Sequence, residues 1–266
     1  MPALSDTSIL IPVRFDSSGR VRNLKVVLRF LLAHVQAPIL LCEEDKKPHA
    51  REFLPEFLDR IGYLFLETDA PYFHKTRCLN HLARAAHTPY LLSHDTDVLV
   101  PPSKYATAHA LLERGADMVF PYDGLCLTVS GEQIARIWAD NTLDHLSAES
   151  CPLHAPRLFG GCVFLRRRAF MEAGMENENF RSWGGEDDER VTRFGRLGFR
   201  AARIAGPLFH LEHPRPPEHI GTGNPFYAEN EREYQKVLAM PPEALRAYVA
   251  TWPWVQEMKK EAREDA

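Results

Sequence analysis

The sequence predicts an α/β protein: a mostly parallel central sheet of Rossmann-like kind, flanked by helices. Three observations predict it. Short apolar runs ("SILIPV", "APILLCE", "YLFLET", "PYLLSHD") alternate with segments of helical spacing through the first hundred residues. The runs are nearly continuous rather than alternating, as strands covered on both faces are. The fourth run ends in His-Asp-Thr-Asp, and ligands of such sheets bind beyond the carboxyl ends of strands.

Each element follows from its pattern. "SILIPV" is the first strand. In "VRNLKVVLRFLLAHV", Val21, Leu24, Leu28, Leu31 and Val35 keep helical spacing. "APILLCE" is the second strand, and "KKPHAREFLPEFLDRIG" a helical segment with a proline break. "YLFLET" is the third. "FHKTRCLNHLARAAH" is a helix with Leu79, Leu82 and Ala86 inward, and "PYLLSHD" is the fourth strand. Further on, "DMVFPYD" reads as a strand and "GEQIARIWADNTLDHL" as a helix. "RLFGGCVFLRRRAFMEAG" reads as a strand, then a helix with a glycine stop. In "NENFRSWGGEDDERVTRFGRLGFR" a loop through Trp183-Gly184-Gly185 enters a helix with an acidic first turn. The His- and Pro-rich stretch from Pro207 to Val237 reads as loop, and the tail from Pro241 as helical and peripheral. No repeat, low-complexity segment or linker interrupts the chain. Residues 1–266 therefore read as one domain, in halves 1–100 and 101–240 with a tail at 241–266.

Bulk properties narrow the function. Of 266 residues, 45% are hydrophobic and 26% charged, with a formal net charge of -4. That balance gives no support to nucleic-acid binding, which needs a basic surface. Five cysteines with no CxxC pair read as buried thiols in a reducing compartment. No apolar stretch approaches the roughly 20 residues that span a bilayer. The start lacks the layout of a signal peptide. The expected location is the cytoplasm, with peripheral membrane contact left open.

Three constellations carry chemistry. Asp95 and Asp97 place two carboxylates at a strand end, a half-site for Mg²⁺ or Mn²⁺; the same residues also suit a turn bonded to its own backbone. "WGGEDDE" sets four acids after an aromatic and two glycines. A helix start favours one or two acids, but the Trp beside carboxylates also suits a sugar ring, its C–H face on the indole and its hydroxyls on the acids. "HLEH" offers His210 and His213, three apart, with Arg215 beyond; the pair fits a metal or an exposed loop. Arg14 and Lys75 follow the first and third strands, where cations suit a phosphate-bearing ligand or simple solvation.

Together, "ILIPVR", "FHKTRCLNHLARAAHTPYLLSHDTDVLVP", "RLFGGCVFLRRRAFMEAGMENENFRSWGGEDDE" and "FHLEHPR" resemble the galactosyltransferase-like glycosyltransferases of the GT-A fold, the β-1,4-galactosyltransferase type and related bacterial members. The stretches occur in the family's order across residues 9–215. The resemblance implies a metal-dependent inverting transfer of a hexose, galactose or N-acetylgalactosamine, from a UDP-sugar to a hydroxyl of a glycan or glycolipid. It implies that Pro12, Val13 and Arg14 cradle the uracil, with Asp16 contributing. Lys75 and Asp95 touch the donor at phosphate and ribose, and Gly161 and Leu158 border its sugar. Asp97 and His213 hold Mn²⁺ or Mg²⁺, with His210 as third ligand. Asp187 is the catalytic base, while Trp183, Gly185, Glu186 and Asp188 line the acceptor side. The chain departs from the family in its sparser basic cluster after the first strand.

Two other readings compete. A haloacid-dehalogenase-like Mg²⁺ phosphotransferase also uses Asp-x-Asp at a strand end, but on its first strand, whereas three strands precede it here. A sugar-binding relative without activity would not need base, metal and donor residues together.

Overall fold

The computed structural model describes residues 3–214 and 221–264. A seven-stranded sheet forms the centre. It comprises β1 (Thr7–Val13), β2 (Ile39–Asp45), β3 (Gly62–Glu67), β4 (Tyr90–His94), β6 (Met118–Phe120), β9 (Cys162–Arg166) and β10 (Ala201–Arg203), in the order β10-β6-β9-β4-β1-β2-β3. All neighbours run parallel except β9, which is antiparallel to both β4 and β6. Every residue of β1 is buried, as expected of a strand covered on both faces.

A second, smaller sheet has the order β5-β11-β7-β8, from β5 (Val98–Leu99), β7 (Cys126–Val129), β8 (Leu153–Ala155) and β11 (Leu208–Leu211). Its short strands place the site. In the β5–β11 pairing His210 stands opposite Val98, and the Leu211 N–H donates to the Asp97 carbonyl at 2.7 Å.

The helices cover the sheets: α1 (Ser18–His34), α2 (Ala50–Phe53), α3 (Lys75–Ala85), α4 (Pro102–Glu113), α5 (Gly131–Asp140), α6 (Arg167–Glu172), α7 (Glu186–Arg196), α8 (Tyr227–Ala239), α9 (Pro242–Ala250) and α10 (Pro253–Glu264). Ser17 caps α1 by accepting from the Arg20 N–H, and Ser130 with Gln133 forms a capping box on α5. Leu79, Leu82 and Ala86 are buried, as their spacing predicts.

The structure corrects four readings. The helix expected through Leu146 ends at Asp140, because Asn141 takes a left-handed conformation and closes it. The helical segment before β3 shrinks to α2 and one 3-10 turn, with Pro55 between them. The stretch read as loop contains β11 and α8, while Arg215 lies outside the described residues. The tail is not peripheral: Leu245, Val249, Trp252 and Trp254 are buried, and the Trp254 indole N–H donates to the Gly174 carbonyl at 3.0 Å. The five cysteines are all buried and no disulfide joins them. Among the described residues, no helix is long and apolar enough to cross a membrane.

Candidate active site

Three turns meet over the carboxyl ends of β1 and β4. The first is Asp95-Thr96-Asp97, between β4 and β5. The Asp95 N–H donates to the Gly161 carbonyl at 2.7 Å, and His94 pairs with Cys162 across β4 and β9. The Phe159-Gly160-Gly161 turn is thereby laid against the acidic one. Gly161 needs its freedom: its φ is +84°, and a Cβ there would meet Val98 and Leu208 at 3.3 Å.

The third turn enters α7. Ser182, Gly184 and Gly185 have φ of +57°, +110° and +91°, so the chain coils tightly before the helix starts. Side chains hold this coil. Asn230 of α8 accepts from the Arg181 N–H at 3.1 Å and donates to the carbonyls of Arg181 and Gly184 at 2.9 and 3.1 Å, and Asn224 donates to the Trp183 carbonyl. Glu186 and Asp187 then occupy the first turn of α7, where the helix dipole favours acids.

The two aspartates that open the site do not share one cation. Asp95 takes Lys75, whose Nζ lies 2.9 Å from its Oδ1. Asp97 takes the histidines, with Nε2 of His213 at 2.9 Å and Nε2 of His210 at 3.8 Å from its Oδ2. Ligand atoms of Asp97, His210 and His213 all lie within 4.8 Å of one another, so two imidazoles and one carboxylate converge on a volume that fits a metal ion.

Most of the expected residues line one cleft of about 280 Å³: Pro12, Lys75, Asp95, Asp97, Gly161, Trp183, Glu186, Asp187, His210 and His213, with Asp16 and Leu158. Four do not. Val13 is buried in β1. Arg14 points elsewhere, donating to the carbonyls of Glu44 (2.9 Å) and Ala70 (3.2 Å). Gly185 caps α7 and packs under Phe180, and Asp188 faces solvent.

Residues 143–219 match the family model described as the N-terminal domain of galactosyltransferase. The segment carries the Gly-Gly turn, the Trp-Gly-Gly coil, the acidic turn and both histidines. GalNAc-T7, crystallised with UDP, GalNAc and Mn²⁺, superposes over 97% of this chain and 54% of its own, with a TM-score of 0.57 and 17% identity. The glucosyl-3-phosphoglycerate synthase of Mycobacterium tuberculosis, crystallised with Mn²⁺, UDP and phosphoglyceric acid, does so over 86% and 78%, at 0.53 and 14%. The chain has the GT-A fold of these neighbours, and its residues 143–219 resemble the galactosyltransferase family. The catalytic domain of Drosophila β1,4-galactosyltransferase 7 in complex with xylobiose aligns over 74% of this GT-A chain and 63% of its own, at 0.45 and 17%. The chain thus spans less than two thirds of the length of two of these relatives. No curated protein matches it.

The charges of the GT-A cleft are sorted by their neighbours. Burial would raise the pKa of Asp97, but the His213 hydrogen bond and the charges of both histidines outweigh it and hold the carboxyl well below its usual range. Burial works against the Lys75 cation, yet Asp95, Asp187 and Glu186 outweigh it, so the ammonium stays charged. Glu186 and Asp187 diverge. Burial first, and then the Asp187 charge, pushes Glu186 up to about 7. Burial of Asp187 is overcome by Lys75 and Arg190, so its pKa falls. Neighbouring carboxyls pushed apart in this way can take different roles at neutral pH.

The sequence reading passed over Arg20, Phe73, Cys126, His154 and Ser182, which also line the cleft. Arg20 carried a signal, since its partner Asp16 lies four residues earlier, at 2.9 Å in the fold. His154 carried none; its three-residue strand brings its ring to 4.4 Å from that of His210.

Proposed function

We propose that this GT-A protein is a metal-dependent inverting glycosyltransferase. It moves a hexose of the galactose or N-acetylgalactosamine type from a UDP-sugar to a hydroxyl of a glycan or glycolipid acceptor. The observation that carries the reading is one cleft with a cation at a strand end, a carboxylate–bis-imidazole cluster and two dissimilar carboxyls. The family match over residues 143–219 supports it, as do relatives of the same fold that hold UDP and Mn²⁺. Residues 1–100 supply the nucleotide side and 101–240 the acceptor side. The five buried thiols, none in a disulfide, suit a cytoplasmic location.

Asp97, His210 and His213 would hold the metal. Two imidazoles lean the preference toward Mn²⁺ over Mg²⁺. When bound, the ion offsets the negative charge that gathers on a departing diphosphate. Lys75 adds its own charge toward the phosphates, Asp95 faces the ribose, and Pro12 borders the uracil. Arg14 is spent on Glu44 and Ala70, so the base is recognised by shape around β1.

Trp183, 47% exposed, offers its indole face to the acceptor ring, beside Glu186. Asp187 takes the proton of the acceptor hydroxyl. The acceptor oxygen bonds to the anomeric carbon as the bond from that carbon to the UDP oxygen breaks. Attack opposite the leaving group inverts the centre, and proton removal contributes ~10²–10⁴-fold in rate. Leu158 presents an apolar wall to the donor sugar.

Calorimetry of UDP with and without Mn²⁺ tests the reading. UDP should bind in the presence of the metal and weaken sharply without it. Failure of UDP beside tight binding of another nucleotide would overturn it.

A further inference from the structure

We infer that Arg190 is the positioning residue that aims the Asp187 carboxylate, with Glu176 holding Arg190 in place. The inference rests on the transferase reading, in which Asp187 accepts the acceptor's proton. Arg190 and Glu176 have side chains only 1% exposed. The guanidinium spans three parts of the chain. Nη1 donates to Oε1 of Glu176 at 2.7 Å; Nη2 donates to Oδ1 of Asp187 at 2.6 Å and to the Phe159 carbonyl at 3.3 Å. Glu176 is itself anchored, because its N–H donates to Asn80 Oδ1 (2.8 Å) and its carbonyl accepts from Asn80 Nδ2 (3.0 Å). Asn80 lies on α3, the helix that begins with Lys75.

The consequence is directional. With Oδ1 tied to Arg190, the carboxylate cannot swing, and Oδ2 is left against Gly160. It stands 2.0 Å from where a Cβ at that position would be. Oδ2 is therefore the oxygen that meets the acceptor proton. A neighbouring cation makes Asp187 a weaker base, so the arrangement trades basicity for orientation. Buried ion pairs are also poor stabilising devices compared with apolar packing, which leaves aim as the gain. Lysine could not replace Arg190, since one ammonium cannot present a planar fork to two carboxylates and a carbonyl.

The test uses the full chain as wild type, Arg190→Lys and Glu176→Gln. Mn²⁺-dependent UDP release is measured from UDP-galactose, UDP-N-acetylgalactosamine and UDP-glucose, with UDP affinity by calorimetry and melting temperature alongside. Arg190→Lys should bind UDP within about threefold of wild type, keep its donor KM, and lose ~10²-fold in kcat. Glu176→Gln should show the same pattern with a smaller loss. A folded Arg190→Lys with wild-type kcat overturns the inference, as does a loss shared equally by UDP affinity. Should Arg190→Lys not fold, Glu176→Gln decides by the same split. No UDP release by wild type from any of the three donors overturns the transferase reading itself, and the inference with it.

Discussion

The ammonium of Lys75 bridges both oxygens of Asp95, at 2.9 and 3.1 Å. The first Asp of the pair is thus neutralised from α3, and the second by histidines from β11 and the residues after it. Lys75→Met removes the ammonium that pairs with the Asp95 carboxylate and that the proposed transfer sets against the phosphates. Charge-assisted hydrogen bonds contribute about 1.5–3 kcal/mol each, so UDP affinity should fall roughly tenfold to a hundredfold. Calorimetry checks this; unchanged affinity would place the phosphates elsewhere.

Glu186 gives a pH dependence of known sign. Its pKa rises from 4.5 to about 7 on folding, chiefly through burial. The native state keeps a proton that the unfolded chain releases. Stability from this group is therefore full below about pH 4.5 and lost as pH rises through 7, by on the order of 3 kcal/mol. Glu186→Gln should flatten the fall in melting temperature between pH 5 and 8. An identical profile in the variant would show that Glu186 ionises freely in the fold.

Removing the metal site should remove the activity. Asp97→Ala deletes the one carboxylate of the cluster and should lower UDP release by at least ~10³-fold. EDTA should suppress the wild type, and added Mn²⁺ should restore it. Full turnover in chelated buffer would contradict the assignment of Asp97, His210 and His213.

Gly160 offers a milder probe of Asp187. A methyl group there would sit 2.0 Å from Oδ2 of Asp187, so the carboxylate must be pushed out of the position in which Arg190 holds it. Gly160→Ala should fold, bind UDP within a few-fold of wild type, and lose ~10²-fold in kcat. Steady-state kinetics against UDP affinity separates these effects; equal kcat would mean that Oδ2 is not aimed at this spot.

The first hundred residues of the fold were legible because their strands are long apolar runs and their helices keep their period. The short strands of the small sheet were not. Leu208–Leu211 is a four-residue strand within the stretch from Pro207 to Pro214, which reads as loop although three of the four strand residues are hydrophobic. That strand places His210 opposite Val98, so the Asp97, His210 and His213 cluster was legible as residue types and not as a pairing. Arg14 shows the opposite failure. Its position at a strand end suits phosphate, yet Glu44, buried on the next strand, lies 3.9 Å from its guanidinium. Arg190 was passed over because a cation one turn into an acidic helix reads as an exposed ion pair; only the packing shows it buried.

The central claim is that Asp187 takes a proton during transfer from a UDP-sugar. A bland alternative is that it serves only the start of α7, a role that affects stability and not chemistry. Asp187→Asn keeps the size of the side chain and removes its basicity. UDP release from UDP-hexoses in Mn²⁺ buffer, compared between wild type and Asp187→Asn, is the decisive measurement. The account predicts release by wild type and a loss of ~10²–10⁴-fold in a folded variant that still binds UDP. Wild-type turnover in Asp187→Asn would contradict it.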